Sequence, residues 1–572
     1  MKIIMPVIAF LVFSLKTLVA DSLPIIEYSS INHPVISQTG MVVSQRKSAS
    51  EVGAEILRNG GNAVDAAVAT GLALAVVLPR AGNLGGGGFM VVYLKDQDKT
   101  VTIDYREKAP SAAHRDLFLD RNGNYDKKKA QFSLLSAGVP GTVAGLHHAL
   151  TKYGSLSWKE VLEPSIRLAE EGFAVPHDLA NILASSSYKQ RLSSNEAAAK
   201  SYYKSDKSNY KAGEILKLPD LAWTLKQLAE FGPDAFYKGE IAKKIVKEME
   251  RNQGLISAED LKNYKAVERS PVEGTYKNFK IVSMPPASSG GIHLIQMLNM
   301  LEEFPIKEMG FGSADSIHIL AEVMKRAYAD RSKHLGDMDF YDVPFSLMSK
   351  DYSSSLNKTI SIKSRTASKD VFAGDPYPYE SPDTTHFSVM DQYGNAVSNT
   401  YTLNFSYGSG IMIPGTGMLM NNEMDDFSSK PGVPNGYGLL GSEANSIQAH
   451  KRPLSSMTPT IIFKDNNPYL VLGSPGGSRI ITTVLQVALN VMEHDMNVAQ
   501  AVNSPRIHHQ WLPEVLMMEN GFGPDTERLL EEKGYRLYPS RTMGSVQAIL
   551  KEGEYFYGAA DPRRPSSGAI AP

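Results

Sequence analysis

The run Thr384-Thr385-His386-Phe387-Ser388-Val389-Met390-Asp391, then Gln392-Tyr393-Gly394-Asn395, then Ala396-Val397-Ser398-Asn399-Thr400-Tyr401-Thr402-Leu403-Asn404 restricts the fold more than any other stretch. Two segments rich in β-branched and aromatic residues flank a short polar turn, the pattern of a β-hairpin. A three-residue loop from Gln392 to Gly394 pairs Thr384 with Thr402; a two- or four-residue loop pairs it with Leu403. In either register Thr384 lies close to Thr402 and Asn404, which share a face because strand side chains alternate. Hydroxyls and an amide therefore gather at a strand start. On these residues alone, solvated or cross-strand-paired polar groups explain the pattern better than a site does.

The rest of the chain sets the context. With 572 residues it is long enough for several domains or one large core. A net charge of −2 gives no global field toward nucleic acid or anionic membrane. Residues 1–20 read as a cleaved secretory leader, with Lys2, an apolar Ile3 to Leu15 and Ala20 before Asp21. The stretch is too short for a stable membrane span. The absence of cysteine excludes disulfides and thiolate chemistry and fits a bacterial periplasmic or secreted protein.

Ser48 to Glu51 has capping-box spacing for a helix ending at Asn59-Gly60-Gly61, and Asn62 can cap the next, Ala63 to Leu78. That second helix is apolar almost all round, so it belongs inside the fold. Gly82 to Gly88 is glycine-rich but lacks the Lys-Ser/Thr of a phosphate loop and enters a strand, so close backbone packing explains it better. The strand Thr100 to Tyr105 delivers Arg106 and Glu107, and an arginine there is more often a surface ion pair. Ser133 to Lys363 reads as largely helical. The pairs His147-His148 and His508-His509 lack metal-ligand spacing and read as structural. Ser364 to Pro382 is an aperiodic polar loop ending at Asp383-Thr384. Asn421 to Asp426 clusters acids, and Pro431 to Gly441 around Tyr437 reads as a lid. Gly476-Gly477 forms a turn before a helix, where backbone N–H groups can bind a negative oxygen, though a plain tight turn is as good a reading.

Taken together, Gly60 to Ala67, Ala81 to Gly88, Asp104 to Glu107, Thr384 to His386, Leu419 to Phe427, Pro453 to Met457 and Gly473 to Arg479 resemble the γ-glutamyltranspeptidase family nearly end to end. The resemblance implies an α+β fold, the four-layer αββα sandwich of N-terminal-nucleophile hydrolases. It implies a precursor that cuts itself between Asp383 and Thr384 into a large subunit, 21–383, and a small catalytic subunit, 384–572. The implied activity is γ-glutamyl transfer from glutathione, glutamine or related amides to water, amino acids or dipeptides, with no metal and no cofactor. Carried over residue by residue, Thr384 is the nucleophile and Thr402 orients it. Arg106, Ser455 and Ser456 take the donor α-carboxylate, and Glu423 and Asp426 its α-ammonium. Asn404 fixes the donor, Gly476 and Gly477 form the oxyanion site, and Tyr437 covers it. An amine on the nucleophile residue itself accounts for the lack of a Ser-His-Asp arrangement. Two alternatives stand beside this: a cephalosporin or glutaryl acylase on the same fold, and a non-catalytic binding relative. A glutaryl donor lacks the ammonium that Glu423 and Asp426 require.

Overall fold

The computed structural model describes residues 30–372, 384–430 and 432–572. The expected leader at 1–20, Asp383 and Pro431 lie outside the described residues. So does most of the loop expected before Thr384.

Two seven-stranded antiparallel sheets stack face to face. The first runs, edge to edge, Gly568–Ile570, Gly40–Ser44, Thr384–Asp391, Ala396–Thr402, Gly87–Leu94, Lys99–Asp104 and Val267–Arg269. The second runs Val35–Ser37, Tyr555–Ala560, Gln547–Glu552, Asn467–Gly473, Thr460–Lys464, Phe279–Ser283 and Val272–Tyr276. Helices cover both outer faces, giving four layers.

Alternation along the strands assigns each residue to a layer. Met390 and Ala396 meet Met41, Val91, Ile461, Val471 and Ile549 between the sheets. Phe387, Val389, Val397 and Tyr401 point the other way, into the core beneath the helices. Thr384 has the parity of His386, Ser388 and Met390, so it belongs to the inter-sheet face. Thr385 belongs to the helix face. Toward the Thr384 end this interface is polar. His386 bonds Thr400 and Ser388, and the Ser388 and Ser398 hydroxyls donate to the carbonyls of Gln547 and Leu472 on the opposite sheet. These bonds satisfy polar groups that would be costly to bury unpaired.

Over the first sheet lies the helix Ala63–Val77, all of whose residues are buried. Asn62 accepts from the N–H groups of Val64 and Asp65, and Asp65 returns a bond to the Asn62 N–H. Its alanines and valines leave no polar face, which suits a helix packed against both the sheet and the helix Trp158–Glu171. A fully buried leucine such as Leu72 or Leu74 contributes about 2 kcal/mol to this layer.

One helix-cap expectation fails. The box at Ser48–Glu51 does not form: the helix spans Lys47–Arg58, so Ser48 lies within its first turn. A tertiary contact replaces the side-chain cap, since the Lys47 N–H donates to the Ser566 carbonyl. The region Ser133 to Lys363 is largely helical as expected, but it also carries a small pair, Phe173–Ala174 with Ile215–Leu216, and strands of the two main sheets, Val267–Arg269, Val272–Tyr276 and Phe279–Ser283. The charged residues of the last three alternate with apolar ones over too few positions to stand out between helices.

Candidate active site

Thr384 begins its strand, and its partner register is Thr384 with Thr402, the outcome of the three-residue loop. Pairing with Gly40–Ser44 on the other side starts only at Phe387, so the first three residues overhang that neighbour. Thr384 Oγ1 donates to Thr402 Oγ1 at 3.3 Å. The Asn404 N–H donates to the same Thr402 oxygen at 2.8 Å.

Thr402 is fixed from behind by the glycine-rich stretch. Asn83 Nδ2 donates to the Thr402 carbonyl at 2.9 Å, and the Gly86 N–H donates to Asn83 Oδ1. A Cβ on Gly86 would lie 2.0 Å from the Thr402 carbonyl oxygen. Only glycine permits that approach, so this run serves backbone packing beside Thr384.

Arg106 follows the strand Lys99–Asp104 and is fully buried, contrary to the surface ion pair that its position suggests. Nη1 donates to Glu423 Oε1, Nη2 to Asp426 Oδ2 at 2.5 Å and Nε to the Pro453 carbonyl at 3.2 Å. Glu107 is 3.6 Å from Nη1, and neither of its carboxylate oxygens has a hydrogen-bond partner. Burial alone would lower the Arg106 guanidinium, but Glu423, Asp426 and Glu107 outweigh it and hold the group above its ordinary range. Burial raises all three acids despite Arg106, and repulsion from the neighbouring acids adds to it at Glu107 and Glu423.

Asn404 sits in the left-handed region at φ 74°. Its Nδ2 donates to the Asn422 carbonyl at 2.9 Å, which ties the nucleophile strand to the acid segment. Tyr437 is buried, and its hydroxyl donates to the Asn404 carbonyl at 2.7 Å. Its ring lies on Gly477, where a Cβ would come within 2.4 Å of it. Two further bonds anchor the Tyr437 segment: the Gly436 N–H donates to Asp425 at 2.9 Å, and Asn435 Oδ1 accepts from the Tyr437 N–H.

These side chains line one cleft of about 300 Å³. Thr384, Thr402, Asn404, Arg106, Glu423, Asp426, Ser455, Ser456, Tyr437 and Gly477 all border it. Gly476, at φ 140°, lies just behind Gly477 and is not among the lining residues. Sequence reasoning missed Arg331, Leu439, Leu454, Met457 and Ile480, which also line it. The apolar four resemble ordinary core residues in sequence, and Arg331 lies in the last turn of its helix beside other basic residues, so none carried a signal.

Chemically, the cleft places a hydroxyl beside a charged corner able to bind a group bearing both an ammonium and a carboxylate. The sequence model of the family described as gamma-glutamyltranspeptidase matches residues 49–571. The glutathione hydrolase proenzyme of Escherichia coli K12 is 52% identical over 534 residues, covering 93% of this chain and 91% of that one. The glutathione hydrolase proenzyme of Pseudomonas sp. A14 is 44% identical, covering 94% and 95%. Among solved structures, Helicobacter pylori gamma-glutamyltranspeptidase matches with a TM-score of 0.57 at 43% identity, over 59% of this chain and 96% of that one. A cephalosporin acylase from Bacillus halodurans matches with a TM-score of 0.83 over 95% and 97%, and at 24% identity it speaks to the fold alone.

Proposed function

Because this chain belongs to the gamma-glutamyltranspeptidase family, we propose that it is a glutathione hydrolase and γ-glutamyltransferase in which Thr384 carries the γ-glutamyl group as an ester. The observation that carries the assignment of roles is Thr384 Oγ1, 3.3 Å from Thr402 Oγ1, in the same cleft as Arg106, Glu423 and Asp426. The precursor is a substrate for its own first reaction. Thr384 Oγ1 attacks the carbonyl carbon of Asp383, the Asp383–Thr384 C–N bond breaks, and water opens the resulting ester. This leaves a large subunit, 21–383, and a small one, 384–572, with a free α-amine on Thr384.

That amine is the base the hydroxyl needs. With an ordinary pKa of about 8 it is partly neutral near pH 7 and can take the Thr384 proton. The oxygen attacks the γ-carbonyl of the donor, and the protonated amine passes its proton to the leaving nitrogen. Thr402 holds Oγ1 in line. The N–H groups of Gly476 and Gly477 receive the developing oxyanion, a contribution of about 3 kcal/mol per donor in comparable sites. Water, or the amino group of an amino acid or dipeptide, then opens the ester and restores Thr384. Donors are glutathione, glutamine and other γ-glutamyl amides. A glutaryl donor would bring no ammonium to the acids around Arg106, which disfavours an acylase reading.

The leader read at residues 1–20 supports a periplasmic or secreted location. Among the described residues no helix is long and apolar enough to cross a membrane.

The test is Thr384→Ala, followed on a denaturing gel and with a γ-glutamyl anilide. The variant is expected to remain a single chain and to release no amine. Two subunits and retained release would refute the proposal.

A further inference from the structure

Gly476 and Gly477 have no side chains, so nothing of their own fixes where their N–H groups point. They lie between the strand Asn467–Gly473 and the helix Ile480–Met492, at φ 140° and 55°. The turn is therefore only as rigid as its flanks. Before it, Ser474 Oγ accepts from the Ser545 N–H at 3.0 Å. After it, Ser478 is held twice. Its carbonyl accepts from the buried Tyr328 hydroxyl, and its own hydroxyl donates to Gln510 Oε1 at 2.8 Å.

Gln510 holds more than the turn. It is buried, and its Nε2 donates at 3.3 Å to the carbonyl of Gly438, one residue beyond Tyr437, and at 3.3 Å to that of Leu512. One amide thus takes the residue after Gly477 with its oxygen and the residue after Tyr437 with its nitrogen. The amide is itself oriented. Burial lowers His508 to about 3, so its ring is neutral near pH 7. Nδ1 accepts from the Thr482 hydroxyl at 2.8 Å, which leaves the single N–H on Nε2 to donate to Gln510 Oε1 at 3.0 Å. Turning the amide over would set its NH2 against that N–H. The backbone beneath is fixed as well. Trp511 is buried in the left-handed region at φ 69°, which a bulky residue adopts only where its surroundings hold it. Its N–H donates to His509 Nδ1 at 3.1 Å and its indole N–H to the Ser368 carbonyl at 3.0 Å.

We infer that Gln510 is a positioning residue for the acyl transfer, tying the oxyanion turn at Gly477-Ser478 to the covering segment at Tyr437-Gly438. The inference rests on the oxyanion role given above to Gly476 and Gly477. The two pieces already touch, since the Tyr437 ring packs where a Gly477 Cβ would be. Packing sets their separation, and the Gln510 amide sets their register. An N–H that drifts from its line loses its bond to an oxyanion that forms only in the transition state. The loss therefore falls on kcat rather than on KM.

The experiment measures kcat and KM for hydrolysis of a γ-glutamyl anilide by the wild type, Gln510→Leu, Ser478→Ala and the double variant. Gln510→Leu should lower kcat about 10- to 100-fold, and Ser478→Ala about 10-fold with KM within about twofold of the wild type. Both substitutions cut the same bond, so the double variant should be no slower than Gln510→Leu. Losses that multiply in the double variant, or a loss confined to KM, overturn the inference. A purely structural role would lower the yield of two-subunit enzyme and leave kcat per small subunit unchanged, and that result overturns it too. If Gln510→Leu does not accumulate as two subunits, Ser478→Ala decides alone: a lower kcat at constant KM supports the inference, and an unchanged kcat overturns it. A wild-type enzyme that releases no amine from the anilide would instead overturn the functional reading itself.

Discussion

Two buried ion clusters grow from neighbouring residues at the end of one strand, and they are finished in opposite ways. The first centres on Asp104. Its Oδ2 accepts from Arg269 Nε at 2.8 Å, and its Oδ1 accepts from the Arg106 N–H and lies 3.1 Å from Arg452 Nε. Arg269 grips Asp339 with both terminal nitrogens, and Asp337 accepts from the Arg452 N–H. The second cluster centres on Arg106, two residues on. Each cluster has two arginines and three acids. In the first, each arginine faces an acid. In the second, Glu107 and one oxygen of Glu423 lack partners, and Arg331 pairs with no acid. Composition is therefore a poor guide to role. Among the described residues, no carboxylate oxygen of the Asp104 cluster is buried without a partner, and only Arg452 Nε lacks a hydrogen bond there; the unpartnered carboxylate oxygens belong to the Arg106 cluster, the one proposed to receive a ligand.

The contrast is sharpened most by matched substitutions. Arg106→Lys keeps a charge among the three acids but loses the fork. It should cost on the order of 1000-fold in kcat/KM, equivalent to about 4 kcal/mol, with little change in the denaturation midpoint. In the other cluster, Arg452→Met takes one of two guanidinium groups from Asp104 and the second positive charge from Asp339. It should cost about 3 kcal/mol of stability in chemical denaturation, while the folded enzyme keeps kcat/KM near the wild-type value. If both variants lose activity and stability in parallel, the clusters are not distinct in role.

A smaller effect lies in pH. Glu107, Glu423 and Asp426 are all raised, chiefly by burial. Their contribution to stability is complete below the ordinary carboxylate range and is lost as pH rises through their raised values. In the Asp104 cluster, burial raises Asp337, whereas Arg269 lowers Asp339. These two trends oppose each other. The thermal midpoint of the empty enzyme should therefore fall as pH rises from the carboxylate range toward neutrality. Saturating L-glutamate should flatten that fall, because its ammonium favours the ionised acids. A slope unchanged by glutamate would break the comparison.

The hairpin was legible but its register was not: the sequence left Thr384 opposite Thr402 or Leu403, and the structure takes the three-residue loop Gln392 to Gly394 that sets it against Thr402. The helix Ala63–Val77 was legible from its uniform apolarity and its Asn62 cap. The Asp104 cluster was not. Its members, at positions 104, 269, 337, 339 and 452, come together only through tertiary packing. Arg331 was hidden for a related reason. Within Ala314–His334 it reads as a charge near a helix C-terminus, and only packing on Ser289 reveals that it is buried at the cleft. The resemblance of the motifs assembled Arg106, Glu423 and Asp426 as donor ligands, but it could not show that they are bonded to one another in the structure.

The most direct measurement is intact-mass and peptide mass spectrometry of the purified protein, acid-quenched during turnover of a γ-glutamyl donor. The account predicts a small subunit beginning at Thr384 that carries one γ-glutamyl group on that residue. A small subunit beginning elsewhere, or a γ-glutamyl group on any other side chain, would contradict it.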